Sequence, residues 1–307
     1  MPEANVACAS PETDLRIVVT WFIVLNVVIQ GVLTGLIYGL MALGLSVIFG
    51  VVRVVNFAHG EFALIGMYAT YILAQAFGLD PLLSLIPISA AFFVIGYVLQ
   101  ATLINHFIRR SQHEQFILLV GLAIILLNGL LMIFGPDARP TKISYAFDSY
   151  LIGPLFVDKA RVYAAIGALC VASLLYMFFR YTPTGTAIRA CADNLIGAEV
   201  VGLNVRRLYA LTFGLGLACV GAAGALFVTI ADASPSLGPA YTLLAFVIVI
   251  IGGLGSMTGA LVGGVIIGVS EALAGFFFAP SLKSMFSFAL LITILALRPR
   301  GLMGRRT

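Results

Sequence analysis

The chain has 307 residues, of which 61% are hydrophobic and only 10% are charged, and its formal net charge is +4. A soluble domain of this length needs more charged residues to cover its surface, so the composition excludes a soluble globular protein. Apolar runs of roughly 18 residues recur along the sequence and predict an all-α polytopic integral membrane protein with about 8–10 transmembrane helices in lipid. The basic residues are scattered and form no basic face, which argues against a nucleic-acid partner.

The N-terminal residues 1–15 are acidic and contain two prolines, and they are predicted to be a short tail. A secretory signal would need a basic start, so cleavage of this tail is not expected. In the first apolar run Gly31, Gly35 and Gly39 repeat every four residues, which lets another helix approach one face closely. Tyr38 lies in the same run, and polar groups at membrane depth face protein or a transport path.

A polar interruption, RVVNFAHGE, follows at residues 53–61. We predict that Asn56 caps the next helix and that Glu61 lies in its first turn, where the helix dipole favours a carboxylate. The alternative is that Asn56, His59 and Glu61 line a substrate path, as ionisable groups at membrane depth commonly do. His59 and Glu61 also match the H-x-E of zinc deaminases, but the required P-C-x-x-C is missing. No catalytic residue and no metal site is therefore predicted.

The remaining apolar runs predict further spans, at residues 62–77, 82–107, 116–134, 162–179, 208–230, 241–251, 260–278 and 285–297. The run at 241–251 is short and ends in GGLGSMTGA, which is tolerable only against protein or a water-filled cavity. Glu271 stands nearly alone in an apolar run and joins Tyr38 as a residue of the path or of a helix break. Its isolation weighs against ion coupling, because proton-coupled transporters use several carboxylates.

One segment between the apolar runs is polar, residues 180–207, RYTPTGTAIRACADNLIGAEVVGLNVRR. Pro183 ends the preceding helix, and the helix formers that follow, up to a stop at Gly202, predict one or two short amphipathic helices. An apolar face exposed to water predicts docking of a soluble partner on this polar segment. Its candidate residues are Gly185, Arg189, Asp193, Glu199, Gly202, Asn204 and Arg206.

The distribution of basic residues predicts the orientation. One side of the membrane receives Arg53, Arg109, Arg110, Arg180, Arg189, Arg206, Arg207, Arg298, Arg300, Arg305 and Arg306, and the other receives Arg139, Lys142, Lys159, Arg161 and Lys283. By the positive-inside rule the first side is cytoplasmic, and with it the polar segment and the C-terminus. Residues 16–300 are predicted to form a single transmembrane domain, followed by a basic C-terminal tail at 301–307. The side of the N-terminus stays open.

Three runs resemble one family: GLIYGLMALGLSVIFGVVRVVNFAHGEFALIGMYATY, TGTAIRACADNLIGAEVVGLNVRRL and IGGLGSMTGALVGGVIIGVSE. They are similar to the branched-chain amino acid permeases of ABC importers, and in particular to the leucine/isoleucine/valine permease subunit. The resemblance implies an ABC-importer permease-like bundle in the bacterial inner membrane that moves branched-chain amino acids by alternating access. The polar segment would couple it to ATPases, with Gly202 at the turn glycine of the EAA loop.

The resemblance also implies partners: a second related permease subunit, two cytoplasmic ABC ATPase subunits and a periplasmic amino-acid-binding protein. The chain lacks G-x-x-x-x-G-K-[ST], so ATP would be used by the partner subunits and no cofactor is expected on this chain. Urea and short-amide importers use similar permeases, which leaves the cargo open. A stand-alone secondary transporter driven by an ion gradient, with Glu271, Glu61 and His59 as carriers, is the alternative from another class. An intramembrane enzyme would need a nucleophile–base pair, and we find none.

Overall fold

The structure, a computed structural model, describes residues 11–108 and 110–304, with side chains from residue 21 onward. Arg109, Arg305, Arg306 and residues 1–10 of the predicted tail lie outside the described residues. The helices are α1 Pro11–Val52, α2 His59–Phe77, α3 Pro81–Leu99, α4 Asn105–Phe107, α5 Gln112–Phe134, α6 Lys159–Tyr181, α7 Pro183–Asp193, α8 Leu195–Val200, α9 Val205–Phe227, α10 Gly238–Gly252, α11 Met257–Phe277 and α12 Lys283–Leu297. A π-helical turn, Gln100–Ile104, joins α3 to α4. The strands β1 Ser149–Ile152 and β2 Leu155–Asp158 form one antiparallel hairpin.

The described chain is an all-α membrane bundle apart from this hairpin, as predicted. Eight of its helical stretches are long and apolar enough to cross a membrane, judged by length and composition. This agrees with the predicted range of spans. Helix α1 is one helix of 42 residues, which at about 1.5 Å per residue extends roughly 60 Å, well beyond a hydrocarbon core of about 30 Å. Helix α2 is not one of these eight stretches, and about half of its residues are buried among the other helices.

Glycines set the closest helix contacts, and the most extensive of these interfaces joins α1 to α11. A Cβ atom on Gly35 would lie 2.7 Å from the carbonyl oxygen of Gly264, and one on Gly31 would lie 2.8 Å from the Cα of Val269. A Cβ atom on Gly264 would overlap the backbone of Gly39. The predicted glycine stripe of α1 is therefore a backbone-to-backbone interface, and only residues without a side chain fit there.

Helix α9 forms the centre of the bundle. It is buried along most of its length and crosses α3 closely, since a Cβ atom on Gly96 would lie 2.9 Å from the Cα of Gly214. Helices α5 and α12 lie at the periphery and bury few of their side chains inside the bundle. This distribution is expected for a bundle whose outer surface faces lipid, where apolar side chains need no protein cover.

Two predicted boundaries differ from the structure. Helix α1 begins at Pro11, inside the segment predicted as a tail of residues 1–15, and proline is well tolerated in a first helical turn. The predicted C-terminal tail starts too early, because the amides of Leu302 and Met303 donate to the carbonyls of Ile251 and Gly252 at 2.8 and 3.0 Å. Those carbonyls belong to the last turn of α10, which has no partners of its own for them.

The helix ends gather into two groups at opposite ends of the bundle. At one end the Tyr145 hydroxyl donates to Asp80 at 2.9 Å, and Arg139 pairs through its backbone with Ala233. Burial, together with the neighbouring Asp80 carboxylate, raises the pKa of the Tyr145 phenol. The other end brings together the end of α1, the start of α5, helix α7 and the loop between α10 and α11. We call this second group the basic end, because Arg53 and Arg189 lie there.

The glycine interface predicts a difference between two Gly→Ala substitutions. Gly264→Ala should lower the stability of the solubilised protein by about 1–3 kcal/mol, because the added methyl group meets backbone that cannot move aside. Gly129→Ala in α5 is the matched control. Nothing lies within 4 Å of its Cβ position, so a small gain of up to about 1 kcal/mol is expected from helix propensity. The measurement is thermal unfolding in detergent, and equal melting temperatures for the two variants would contradict the interface.

Candidate functional site

A buried polar cluster lies beneath the break between α1 and α2. Asn56 and His59 are fully buried and Glu61 is 2% exposed. The His59 Nε2 atom lies 2.9 Å from the carbonyl oxygen of Met41, which belongs to the neighbouring turns of α1. Glu61 occupies the first turn of α2, as predicted. The cluster therefore faces protein, and its polar atoms depend on partners supplied by other helices.

Thr242 of α10 is the main partner of this cluster. Its hydroxyl accepts from the amide of Gly60 at 2.8 Å and lies 3.2 Å from Glu61 Oε2, to which it donates. The approach requires glycine at position 60, because a Cβ atom there would lie 2.5 Å from the amide nitrogen of Thr242. Thr242 thus ties the start of α2 to α10. This role could not be predicted from the sequence, since a threonine in an apolar span is common.

Asn56 differs from its predicted role. Its Oδ1 accepts from the amide of Ala58 at 3.1 Å, and α2 begins one residue later without a side-chain cap. An asparagine side chain readily reaches the amide two residues on, which forms a turn ahead of the helix instead of a cap on it. Asn56 Nδ2 and His59 Nδ1 are buried and have no hydrogen-bond partner among the described residues.

Glu271 belongs to a second cluster, which also contains Tyr38. The Ser287 hydroxyl of α12 donates to Glu271 Oε1 at 3.0 Å, and the Tyr38 hydroxyl faces the same carboxyl group. Tyr38 stacks on Phe227 with ring centroids 5.3 Å apart, and Phe227 contacts Tyr241 at 5.2 Å. Sequence reasoning missed Ser287 and Tyr241, although the position of Tyr241 at the start of a short span was a usable signal.

The five predicted path residues therefore fall into two clusters that share the same two helices. Helix α1 contributes Tyr38 to one cluster and the Met41 carbonyl to the other, one turn further along. Helix α10 contributes the adjacent residues Tyr241 and Thr242 in the same way. A shift of α1 against α10 would disturb both clusters at once.

The polar segment forms two short helices, α7 and α8, as predicted. The Thr182 hydroxyl accepts from the amide of Gly185 at 3.0 Å at the start of α7, and Asn194 does the same for Gly197 at the start of α8. Gly202 has φ of 82°, a left-handed conformation suited to glycine, and it follows the end of α8. Asn204 caps α9 by accepting from the amide of Arg207 at 3.1 Å.

Gly185 fixes the angle between α6 and α7. A Cβ atom on Gly185 would lie 2.7 Å from the Cα of Phe179 and would overlap the carbonyl oxygen of Phe178. The polar segment is therefore pressed directly on the backbone of α6 at one end, and it continues into the buried helix α9 at the other.

Both faces of the polar segment carry apolar residues. Ile188, Cys191 and Ala198 are buried against the bundle. Burial, with a smaller contribution from nearby Glu199, raises the pKa of the Cys191 thiol. Ile196, Val200 and Val201 point outward and are 75, 81 and 74% exposed. Four charged residues of the polar segment are also exposed, namely Arg189, Asp193, Glu199 and Arg206. An exposed apolar patch on a polar segment is typical of a surface that another protein covers.

A cavity of about 1030 Å³ lies at the basic end, bordered by the last turns of α7, the end of α1 and the start of α5. Arg53, Gln112 and Arg189 are among its polar lining residues, and Phe57 and Phe116 form part of its apolar wall. Space of this size between two packed elements leaves room for α7 to move relative to the ends of α1 and α5.

Comparison with known proteins identifies the class. Residues 27–295 match the family described as the permease component of the branched-chain amino acid transport system, and the chain belongs to this family. It is 32% identical to the high-affinity branched-chain amino acid transport system permease protein LivH of Salmonella typhimurium, covering 90% of this chain and 94% of the relative. The permease protein BraD of Pseudomonas aeruginosa is 29% identical, with coverage of 92% and 96%.

Two further similarities are more distant. The permease protein LivM of Escherichia coli is 26% identical, with 87% of this chain and 68% of that protein covered. Among solved structures, PsaBC from Streptococcus pneumoniae in complex with Fab has a TM-score of 0.48 and 12% identity, with coverage of 88% and 91%.

The Thr242 contacts predict a clear order among substitutions. Thr242→Val should destabilise the solubilised protein by about 1–3 kcal/mol, because the buried Gly60 amide and the Glu61 carboxyl both lose their partner. Thr242→Ser keeps the hydroxyl and should stay much closer to wild type. Thermal unfolding of the three proteins side by side is the measurement. A Val variant as stable as the Ser variant would show that the hydroxyl does not hold α2 to α10.

Proposed function

We propose that this chain is a permease subunit through which branched-chain amino acids enter a bacterial cell, driven by ATPases on separate chains. Family membership, similarity to LivH and BraD over nine-tenths of the chain, and eight apolar spans support this function. The observation on which this proposal mainly depends is the structure of the polar segment. Its outer face carries an exposed apolar patch, and Gly185 packs the segment closely on the transmembrane helix α6. A permease that is driven by ATPases on separate chains needs such a surface to receive their motion.

The polar segment transmits the motion of the ATPases. When two ATPase subunits close on ATP, the docked α7 and α8 move with them, because Gly185 packs α7 on α6 and Asn204 caps the start of α9, into which the segment continues. That motion reaches α6 and α9 and changes which side of the bundle is open. No side chain of this permease carries out chemistry. ATP is held and hydrolysed by the partners, so this chain needs no cofactor.

The proposed importer function also implies a second permease subunit and a binding protein as partners. Similarity to both LivH and LivM supports pairing with a second related permease subunit, since two homologous chains can share one pseudo-symmetric interface. A periplasmic amino-acid-binding protein would deliver cargo to the end that carries the β1–β2 hairpin. The positive-inside rule supports a cytoplasmic position for the basic end, the polar segment and the C-terminus, in a bacterial inner membrane.

The names of LivH and BraD as branched-chain amino acid permeases favour branched-chain amino acids over urea and short amides as cargo. Reconstitution tests both the cargo and the energy source. We expect leucine uptake into proteoliposomes only when the permease pair, the ATPases, the binding protein and ATP are all present. Urea should not compete with leucine.

The same experiment separates the two classes of transporter. Leucine uptake by this chain alone, driven by an ion gradient, would establish a secondary transporter and reject the proposed function. ATP-driven uptake that urea abolishes would keep the class and change the cargo.

The exposed patch on α8 gives a variant that should fold normally. Ile196→Glu places a charge where 75% of the native side chain is exposed, so the fold is spared while docking to an apolar groove is weakened. We expect leucine uptake and co-purification of the ATPases to fall about tenfold or more, because a charge buried at an interface is costly. Ile196→Leu keeps the patch apolar and serves as the control. Normal ATPase capture by the Glu variant would place the docking surface elsewhere.

A further inference from the structure

Arg53, which ends α1, has an unusual backbone conformation. Its φ is 59°, and it is the only residue other than glycine with positive φ in the described part of the chain. Its amide still donates to the Phe49 carbonyl at 3.1 Å, so it closes α1 as a left-handed terminal residue. Glycine occupies such positions without strain, whereas a residue with a Cβ atom is disfavoured. The presence of arginine here calls for a reason in its side chain.

The side chain of Arg53 reaches the polar segment. Its Nη2 atom donates to the carbonyl oxygen of Ala192 at 3.4 Å. Ala192 lies in the last turn of α7, where helix carbonyls lack partners within the helix and attract cations. The guanidinium also lies within electrostatic range of Tyr209 in α9. The Arg53 side chain thus connects the end of α1 to the C-terminal turn of α7.

Arg53 also stands directly before the buried polar cluster. The non-helical stretch after it contains Asn56, and α2 then begins with His59 and continues through Glu61. The cavity between the polar segment and the bundle includes Arg53 in its wall. Across this gap, the Arg53 side chain provides a direct polar contact between the last turn of α7 and the end of α1.

We propose that Arg53 is a positioning residue that links α7 to the break between α1 and α2, so that movement of the polar segment shifts the buried cluster of His59, Glu61 and Thr242. The inference rests on the proposed function, because the movement comes from the docked ATPases. When α7 moves, the contact with Ala192 carries the end of α1 with it. The unwound residues after Arg53 absorb the change, as hinge segments do.

The test replaces Arg53 in the complete complex of permease pair, ATPases and binding protein. Arg53→Gly and Arg53→Asn remove the guanidinium and suit the left-handed backbone better than arginine does. Both variants should be as thermally stable as wild type or more so, and both should still capture the ATPases. We expect leucine uptake to fall roughly tenfold, in the usual range for coupling between two sites, while ATP hydrolysed per leucine rises. Arg53→Lys keeps a cation and should retain most of the uptake.

Two results would overturn the inference. Wild-type uptake by Arg53→Gly would mean that the Arg53 side chain has no part in coupling α7 to the buried cluster. Equal loss of uptake in Lys, Asn and Gly variants together with lower melting temperatures would indicate a packing role. Arg110→Gly is the control, because Arg110 is an exposed arginine whose guanidinium contacts Glu114 and the Phe107 ring close by in sequence. Its loss should change uptake by less than about twofold. A wild-type complex without ATP-driven uptake would instead reject the proposed function, and the coupling role with it.

Discussion

The backbone contact between α1 and α11 fixes the position of α1, on which the buried polar clusters depend. Gly31, Gly35 and Gly39 bring the two helices together without intervening side chains. In a membrane there is little hydrophobic drive between helices, so such close packing supplies much of the attraction. Because α1 is thereby fixed, its Tyr38 meets Glu271 of α11, and Arg53, directly after its last residue, reaches the polar segment.

The second constraint is that a membrane protein must satisfy its polar groups internally. The break between α1 and α2 exposes backbone groups that a continuous helix would pair. Two of these backbone groups are satisfied by side chains: Asn56 accepts from the amide of Ala58, and Thr242 accepts from the amide of Gly60. A break satisfied by single side chains is less rigid than a helix. It is therefore suited to change shape when the helices around it move.

Much of this architecture could be predicted from the sequence because it depends on local pattern. The apolar runs predicted the spans, and Pro183 and Gly202 predicted the limits of the short helices in the polar segment. The glycine spacing in α1 predicted a close contact with another helix. The partners of Glu61 and Glu271 could not be predicted. Thr242 is 181 residues from Glu61, and only the packing of whole helices brings them together. The docking of Leu302 on α10 was hidden for the same reason.

The anchoring of the polar segment explains why a motion entering there must be absorbed elsewhere. Gly185 presses α7 on α6, and Asn105 Nδ2 donates to the Arg206 carbonyl at 3.4 Å, so α3 and α4 hold the start of α9 as well. The junction at Gly185 has no space for even one added methyl group. The helical ladder is interrupted between Val52 and His59, where few hydrogen bonds resist a change in backbone angles. Force applied to the polar segment therefore reaches this break and alters the environment of the buried cluster beneath it.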